Sequence, residues 1–210
     1  MSLKLGRVVK LFVLADLALL AGWGLLAPIF SLFIINRVEG ATVVSVGIAS
    51  AVYWFVKGTV QIPIANYLDK SKNEKDDYVV LVLGLVMASL TAFSYVFIQH
   101  LWQLYLLEAA HAIAFAMYSP SWLGIFSRHL DKNHHGLDFA MDNAAVSFAS
   151  AITGFCSGLV VKFFGFPALF VAAGSFTLVS AFIVLTVPSI IFPKQKTRLV
   201  ELLKNHKMLK

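Results

Sequence analysis

The class of fold is decided by two consecutive apolar stretches, LDFAMDNAAVSFASAITGFCSGLVVKFF (residues 137–164) and FPALFVAAGSFTLVSAFIVLTVPSIIF (residues 166–192). A helix needs roughly 20 apolar residues to cross the ~30 Å hydrocarbon core of a bilayer. Each stretch exceeds that length, and Gly165–Pro167 connects them. The pair predicts two membrane-spanning helices joined by a very short turn.

Similar apolar segments run through the rest of the chain. In chain order the six segments, numbered one to six below, are Leu11–Ile35, Val43–Ile64, Tyr78–Ile98, Leu101–Phe126, Leu137–Phe164 and Phe166–Phe192. Closed barrels are the other way to span a bilayer, and the ten-residue alternation of barrel strands is absent. The sequence therefore predicts an all-α polytopic membrane protein, with six transmembrane helices within residues 1–193.

Composition agrees with a lipid environment. The chain of 210 residues is 59% hydrophobic and only 13% charged, about half the charged share of a soluble domain. A single cysteine, Cys156, excludes an intramolecular disulfide and a cysteine metal cluster. The basic residues are confined to short stretches between apolar runs, which fits membrane topology better than a nucleic-acid surface. We expect the lipid bilayer as a partner, and neither nucleic acid nor a cofactor.

The positive charges predict the orientation. Fourteen of the 17 Lys and Arg residues fall on the side that holds both termini, Arg37 and Lys162 fall near the other side, and Lys57 lies inside segment two. This bias predicts cytoplasmic N- and C-termini in a cell (plasma or inner) membrane. The basic tail, residues 194–210, carries leucines near helical spacing and is interpreted as an amphipathic cytoplasmic helix held by anionic lipid.

Polar residues are unevenly distributed over the segments. Segments three and six contain no Asp, Glu, Lys, Arg or His. Because a charge in hydrocarbon is costly, such residues usually face a bundle interior or a wet cavity. Segments one, two, four and five are thus expected to surround something polar, with segments three and six outside, against lipid. The candidate transport-pathway residues are Asp16, Lys57, Gln61, Glu108, His111, Asp142 and Asn143.

Two pairs stand out among these candidates. Asp16 and Lys57 lie at similar estimated depths, so we expect them to interact, directly or through water. The pair is either a structural ion pair or one that binds solute or gates the pathway. Glu108 and His111 are three residues apart and share one helix face, which Tyr118 continues. They either carry a proton or bind solute, or else link two helices by a hydrogen bond.

Two other groups are better explained without function. Asn143, Ser147, Ser150 and Gly154 share one face of segment five, and small residues favour close helix packing. The loop between segments four and five holds possible metal ligands, but nothing in the sequence positions them, so a solvated loop is the favoured interpretation. Those loop residues are His129, Asp131, His134 and His135.

Four stretches resemble the N-terminal half of a major facilitator superfamily transporter. They are WGLLAPIF (residues 23–30), ANYLDKSK (residues 65–72), LYLLEAAHAIAFA (residues 104–116) and GFCSGLVVKFFGFPALF (residues 154–170). The second lies where the family has its Gly-x-Leu-Ala-Asp-Arg-x-Gly-Arg-Arg loop motif, and Asn66, Asp69 and Lys70 are the candidate residues there. The chain departs from the family at Asn66, Tyr67 and Asp69, and Glu108 replaces the usual fourth-helix Arg.

The resemblance implies a half bundle of 3+3 helices in which helices one, two, four and five line a cavity. It favours a half-sized secondary transporter of a small solute, gradient-driven and working as a homodimer or with a second six-helix half. No Walker-type nucleotide motif occurs in the sequence. The main alternative is a non-transporting six-helix subunit that assembles with another membrane protein. A membrane enzyme is the weakest hypothesis, because no nucleophile–base pair or zinc motif shares a helix face.

Overall fold

The computed structural model describes residues 7–71, 74–129 and 135–187. The helices in these ranges are α1 (Arg7–Leu26), α2 (Phe30–Arg37), α3 (Val43–Ser71), α4 (Glu74–Ser94), α5 (Leu101–Arg128) and α6 (His135–Thr186). A 3₁₀ turn, Tyr95–Phe97, follows α4. No strand occurs within the described ranges, apart from an isolated bridge between Glu39 and His100. The predicted all-α class is confirmed, whereas the proposed tail, residues 194–210, lies outside the described residues.

Predicted segment one is two helices, because the chain turns at residues 27–29 between α1 and α2. Pro28 lies in this turn, and proline has no amide hydrogen to continue a helix. The amides of Ala27 and Ile29 donate to Trp23 and Leu26 carbonyl oxygens, at 3.1 Å and 3.0 Å. The break places α2 beside the start of α3.

Helix α6 contains predicted segments five and six, and it breaks between them, where the sequence predicted a turn. Gly165 has φ 79° and ψ 174°, a positive φ that is unfavourable for residues with a Cβ. Pro167 follows it, and the two together separate a first arm, residues 135–164, from a second arm, residues 166–186.

Four described helices are long and apolar enough to cross a membrane: Val8–Leu26, Val43–Ser71, Glu74–Phe97 and Phe139–Thr186. The last of these holds both arms of α6. Helix α5 has 28 residues, but Glu108, His111 and Arg128 lower its mean hydropathy. The protein is thus a multi-pass membrane protein, and the count of six crossings stays a prediction.

The helices pack in a defined order. The main contacts of α1 are with α6, those of α3 are with α5, and α4 packs between α5 and α6. Buried apolar side chains form two clusters along the bundle. One contains Phe12, Leu81 and Ile125, and the other contains Ile34 and Phe170.

Exposure in the single chain does not divide simply between segments three and six and the other four segments. Leu90 of α4 and Phe182 of the second arm of α6 are exposed, as expected, but Leu85 of α4 is fully buried. The largest exposures belong to segments two and five, with Phe55 at 76% and Phe155 at 78%. A lack of charge in a segment does not determine how much of the helix its neighbours cover.

At one end of the bundle, charged and polar side chains join α4 to α5. Arg128 Nη2 lies 2.5 Å from Oδ2 of the buried Asp77, and His129 Nδ1 lies 3.4 Å from Glu74 Oε1. His129 is therefore placed against a carboxylate of α4. Asp131 and His134 of the same predicted loop lie outside the described residues, as does the side chain of His135.

Candidate functional site

A cavity of about 430 Å³ opens among α1, α2, α3 and α5. Its volume is within the range of pockets that hold small organic molecules. The wall is largely aromatic and aliphatic, with few polar groups. The rings that line it belong to Trp23, Phe30, Tyr53, His111 and Phe115.

Glu108 is the acidic residue of this wall, and it is only 4% exposed. The hydroxyl of Tyr95 donates a hydrogen bond of 2.6 Å to Glu108 Oε1. The other carboxylate oxygen, Oε2, lies 3.9 Å from Nδ1 of His111. The spacing of three residues thus brings Glu108 and His111 together, as predicted from the sequence.

Tyr95 was missed by the sequence reasoning, and it corrects the expected role of segment three. It is completely buried in the turn after α4, so segment three contributes to the site although it carries no acidic or basic residue. The sequence feature that could have identified Tyr95 is a tyrosine in an apolar run, because a buried phenol usually has a hydrogen-bond partner.

Aromatic rings hold the imidazole of His111 in place. The Trp23 ring stacks on it, with centroids 3.8 Å apart and planes within 9°. Tyr53 approaches at 4.5 Å and Phe115 at 4.9 Å. In the described part of the chain, His111 Nδ1 is buried and has no hydrogen-bond partner. The imidazole is therefore fixed in orientation beside the Glu108 carboxylate.

Lys57 lies next to the same rings. Its ammonium is 5.2 Å from the Trp54 ring and 5.8 Å from the rings of both Tyr53 and Phe115. Among the described residues no ion pair joins Lys57 to a carboxylate. The predicted interaction of Asp16 with Lys57 is therefore not a direct ion pair in the described structure, and its water-mediated form stays a prediction.

Asp16 instead belongs to a second polar cluster. The hydroxyl of Tyr118 on α5 donates a hydrogen bond to Asp16 Oδ1, and the carboxyl group of Asp142 on α6 also interacts with Asp16. Both aspartates are buried, and Asp142 Oδ1 has no hydrogen-bond partner in the described structure. The estimated depths of Asp16 and Lys57 agree, but depth does not give the direction in which a side chain leaves its helix.

The remaining candidates lie away from these clusters. Gln61 is half-buried on α3, and Asn143 is exposed on the first arm of α6. Neither lines the cavity. The loop-motif candidates Asn66, Asp69 and Lys70 are exposed near the end of α3.

A shallow groove lies between α1 and the first arm of α6. Ser150 and Gly154, two of the residues that the sequence assigned to helix packing, line it, whereas Asn143 and Ser147 do not. Its lining includes Gly24, Ala27, Ser150, Ala151 and Gly154. Neither α4 nor the second arm of α6 lines this groove or the cavity.

Similarity to known proteins agrees with this arrangement. The model of the Major Facilitator Superfamily matches residues 12–207, and no curated protein matches the chain in sequence. Among solved structures, the fold is similar to that of the POT family transporter PepTSo, with a TM-score of 0.68 and 14% identity. The alignment covers 89% of this chain and 38% of that transporter, so the chain spans about two fifths of its length. The chain belongs to the Major Facilitator Superfamily.

Proposed function

We propose that the protein is a secondary carrier, which moves a small solute across the membrane and is driven by an ion gradient. The observation that carries this proposal is the pairing of an open cavity with the buried Glu108–His111–Tyr95 cluster in its wall. A cavity of about 430 Å³ suits a small solute. Acidic residues and histidines inside membrane segments often belong to a proton or solute pathway, so Glu108 and His111 are the candidates for the coupling proton.

The test is transport by the purified full chain in liposomes. A panel of radiolabelled amino acids, carboxylates, sugars and nucleosides is offered with and without an imposed pH gradient. We expect at least one of these solutes to accumulate above its external concentration when the gradient is present. Absence of uptake and of exchange across the panel would contradict a carrier and favour the alternative, a non-transporting subunit of another membrane protein.

The proposed working unit is a dimer of two such bundles. Asn143 and Ser147 are exposed on the first arm of α6, and Ser31 and Ser50 are exposed near the cavity. Polar groups that face hydrocarbon are unfavourable, and small residues allow helices to approach closely. A second bundle that covers this face would shield the exposed polar groups from hydrocarbon and pack closely against the small residues. Two copies with the same orientation can do so around a two-fold axis along the membrane normal.

Co-purification of two differently tagged copies from native membranes tests the dimer. We expect the tags to co-purify after crosslinking, at about twice the 23.1 kDa of one chain. Ala151→Trp places a bulky ring in the shallow groove and is expected to lower the co-purified fraction severalfold. Leu90→Trp is the matched control, because Leu90 is exposed on α4, away from the groove. A stable, active monomer contradicts this prediction, and a stoichiometric partner of different sequence replaces it with a heterodimer.

The proposed orientation places both termini in the cytoplasm of a cell that carries the protein in its plasma or inner membrane. Residues 1–193 would form the bundle and residues 194–210 a tail on the cytoplasmic lipid surface. The basis is the excess of Lys and Arg on one side of the bundle.

Cysteine accessibility tests the orientation after Cys156→Ser has removed the native thiol. Single cysteines at Lys70 and Ser127 are expected to react with an impermeant reagent only from the cytoplasmic side. A cysteine at Gln99 is the matched control, and it is expected to react only from the outside. Reaction of Lys70Cys or Ser127Cys from the outside would overturn the topology.

A further inference from the structure

We propose that the cavity binds an organic anion whose apolar part is about the size of an aromatic ring, and that the ammonium of Lys57 binds its anionic group. This inference rests on the carrier function proposed above and names the class of solute. The sequence alone did not choose between an anion and a cation, because Asp16, Lys57 and Glu108 have mixed signs. The surroundings of Lys57 and Glu108, the two charged residues near the cavity, favour an anion over a cation.

Lys57 is a half-buried cation without an anionic partner in the described structure. The groups within reach of its ammonium are the ring faces of Tyr53, Trp54 and Phe115, at 5.2–5.8 Å. Ring faces attract a cation, but more weakly than a carboxylate does. Charged residues in membrane segments usually pair with another charge or serve a solute pathway. Lys57 therefore retains the capacity to bind an anion.

The position of Lys57 connects it to the cavity. It lies one helical turn after Tyr53 on α3, so the two residues share a face. Tyr53 and Phe115 both line the cavity, and each ring centroid is 5.8 Å from the ammonium. A small shift of the flexible lysine stem brings its charge to a solute that lies against these rings.

Glu108 does not offer a matching site for a cation. One of its oxygens accepts the hydrogen bond from Tyr95, and the other lies beside His111. His111 is in turn covered by the Trp23 ring. A cationic solute would also meet the like charge of Lys57, which lies outside the lining but 5.8 Å from two of its rings, Tyr53 and Phe115. The charge beside the cavity that has no partner of opposite sign in the described structure is therefore the positive charge of Lys57.

The cavity wall defines the rest of the solute. The rings of Trp23, Phe30, Tyr53 and Phe115 offer flat apolar faces, and aromatic groups pack on such faces by stacking or edge contacts. A volume of about 430 Å³ holds one small aromatic acid.

The test compares three probes with the same phenyl-propyl carbon skeleton on the purified full chain in detergent. They are 3-phenylpropionate, the neutral 3-phenylpropionamide and the cationic 3-phenylpropylamine, with binding measured by isothermal titration calorimetry. We expect 3-phenylpropionate to bind about tenfold or more tightly than the other two, since a charge-assisted hydrogen bond is lost in both. Equal binding of the acid and the amide, tighter binding of the amine, or no binding of any probe would overturn the inference.

Variants assign the preference to Lys57. Lys57→Met is expected to weaken 3-phenylpropionate binding about tenfold or more, whereas Lys57→Arg keeps the charge and most of the affinity. Lys162→Met is the matched control, because Lys162 is another membrane-segment cation over a ring, Phe163 at 5.5 Å, but is exposed on α6. Unchanged binding in a folded Lys57→Met protein contradicts the role of Lys57. If Lys57→Met fails to fold, the three probes and Lys57→Arg still decide the question.

The two proposals fail in different ways. Selective binding of 3-phenylpropionate without uptake or exchange in liposomes supports the anion site and removes the carrier function. Gradient-driven uptake of a cationic or neutral solute, with no preference for the acid, keeps the carrier function and overturns the anion site.

Discussion

Glu108→Gln is expected to reduce gradient-driven accumulation of solute in liposomes about a hundredfold, the usual scale for losing a positioned proton-transfer group. Glutamine keeps the shape of the side chain and an oxygen that accepts the Tyr95 hydrogen bond. It does not take up and release a proton. The variant is therefore expected to fold while uptake loses its coupling to the pH gradient.

The measurement compares accumulation with exchange at equal pH on both sides. Exchange needs no net proton movement, so Glu108→Gln is expected to retain it. Glu39→Gln is the matched control, because Glu39 is exposed and lies near His100 at the start of α5, away from the cavity. Wild-type accumulation by Glu108→Gln would show that this carboxyl group does not couple transport to protons. Loss of both activities would assign Glu108 to solute binding or to folding.

Gly84→Val is expected to destabilise the bundle by about 3 kcal/mol, at the upper end for overpacked cores. Helices α4 and α5 cross closely at Gly84. A Cβ on this residue would lie 2.9 Å from the carbonyl oxygen of Ala114 and 3.0 Å from the amide nitrogen of Tyr118. Both neighbours are backbone atoms, so relief requires the two helices to separate.

Thermal unfolding in detergent, followed by tryptophan fluorescence, measures this effect as a lower unfolding temperature. Gly47→Val is the matched control, because a Cβ at Gly47 on α3 meets no atom within 4 Å. The control is expected to unfold close to the wild-type temperature. Equal unfolding temperatures for the two variants would contradict the close α4–α5 crossing.

Several features could be predicted from the sequence because they depend on local physical chemistry. Apolar runs longer than the bilayer is thick indicated membrane helices. The Gly165–Pro167 break was visible because a positive φ favours glycine and proline ends a helix. Glu108 and His111 were correctly brought together because a spacing of three residues places side chains on one helix face. The family resemblance, drawn from four short stretches, is confirmed by the match over residues 12–207.

Other features depend on how helices rotate and pack against one another, which no local pattern contains. Equal depth in the bilayer suggested that Asp16 pairs with Lys57. The direct contact is absent because Asp16 instead meets Tyr118 of α5 and Asp142 of α6. The ammonium of Lys57 lies over aromatic rings of α3 and α5, so the two side chains have different neighbours.

The sequence by itself determined that this protein is a helical membrane protein and which segments are polar. The reason is that the free energy of transferring a side chain from water into lipid depends mainly on that side chain. Tertiary structure alone decided that Tyr95 reaches Glu108 and that the Lys57 ammonium lies over the ring of Phe115. Those contacts join residues from different helices, and they arise only when helix rotation and crossing have been settled by the packing of the whole bundle. The sign of the charge that is open to a solute is thus a property of the packed bundle.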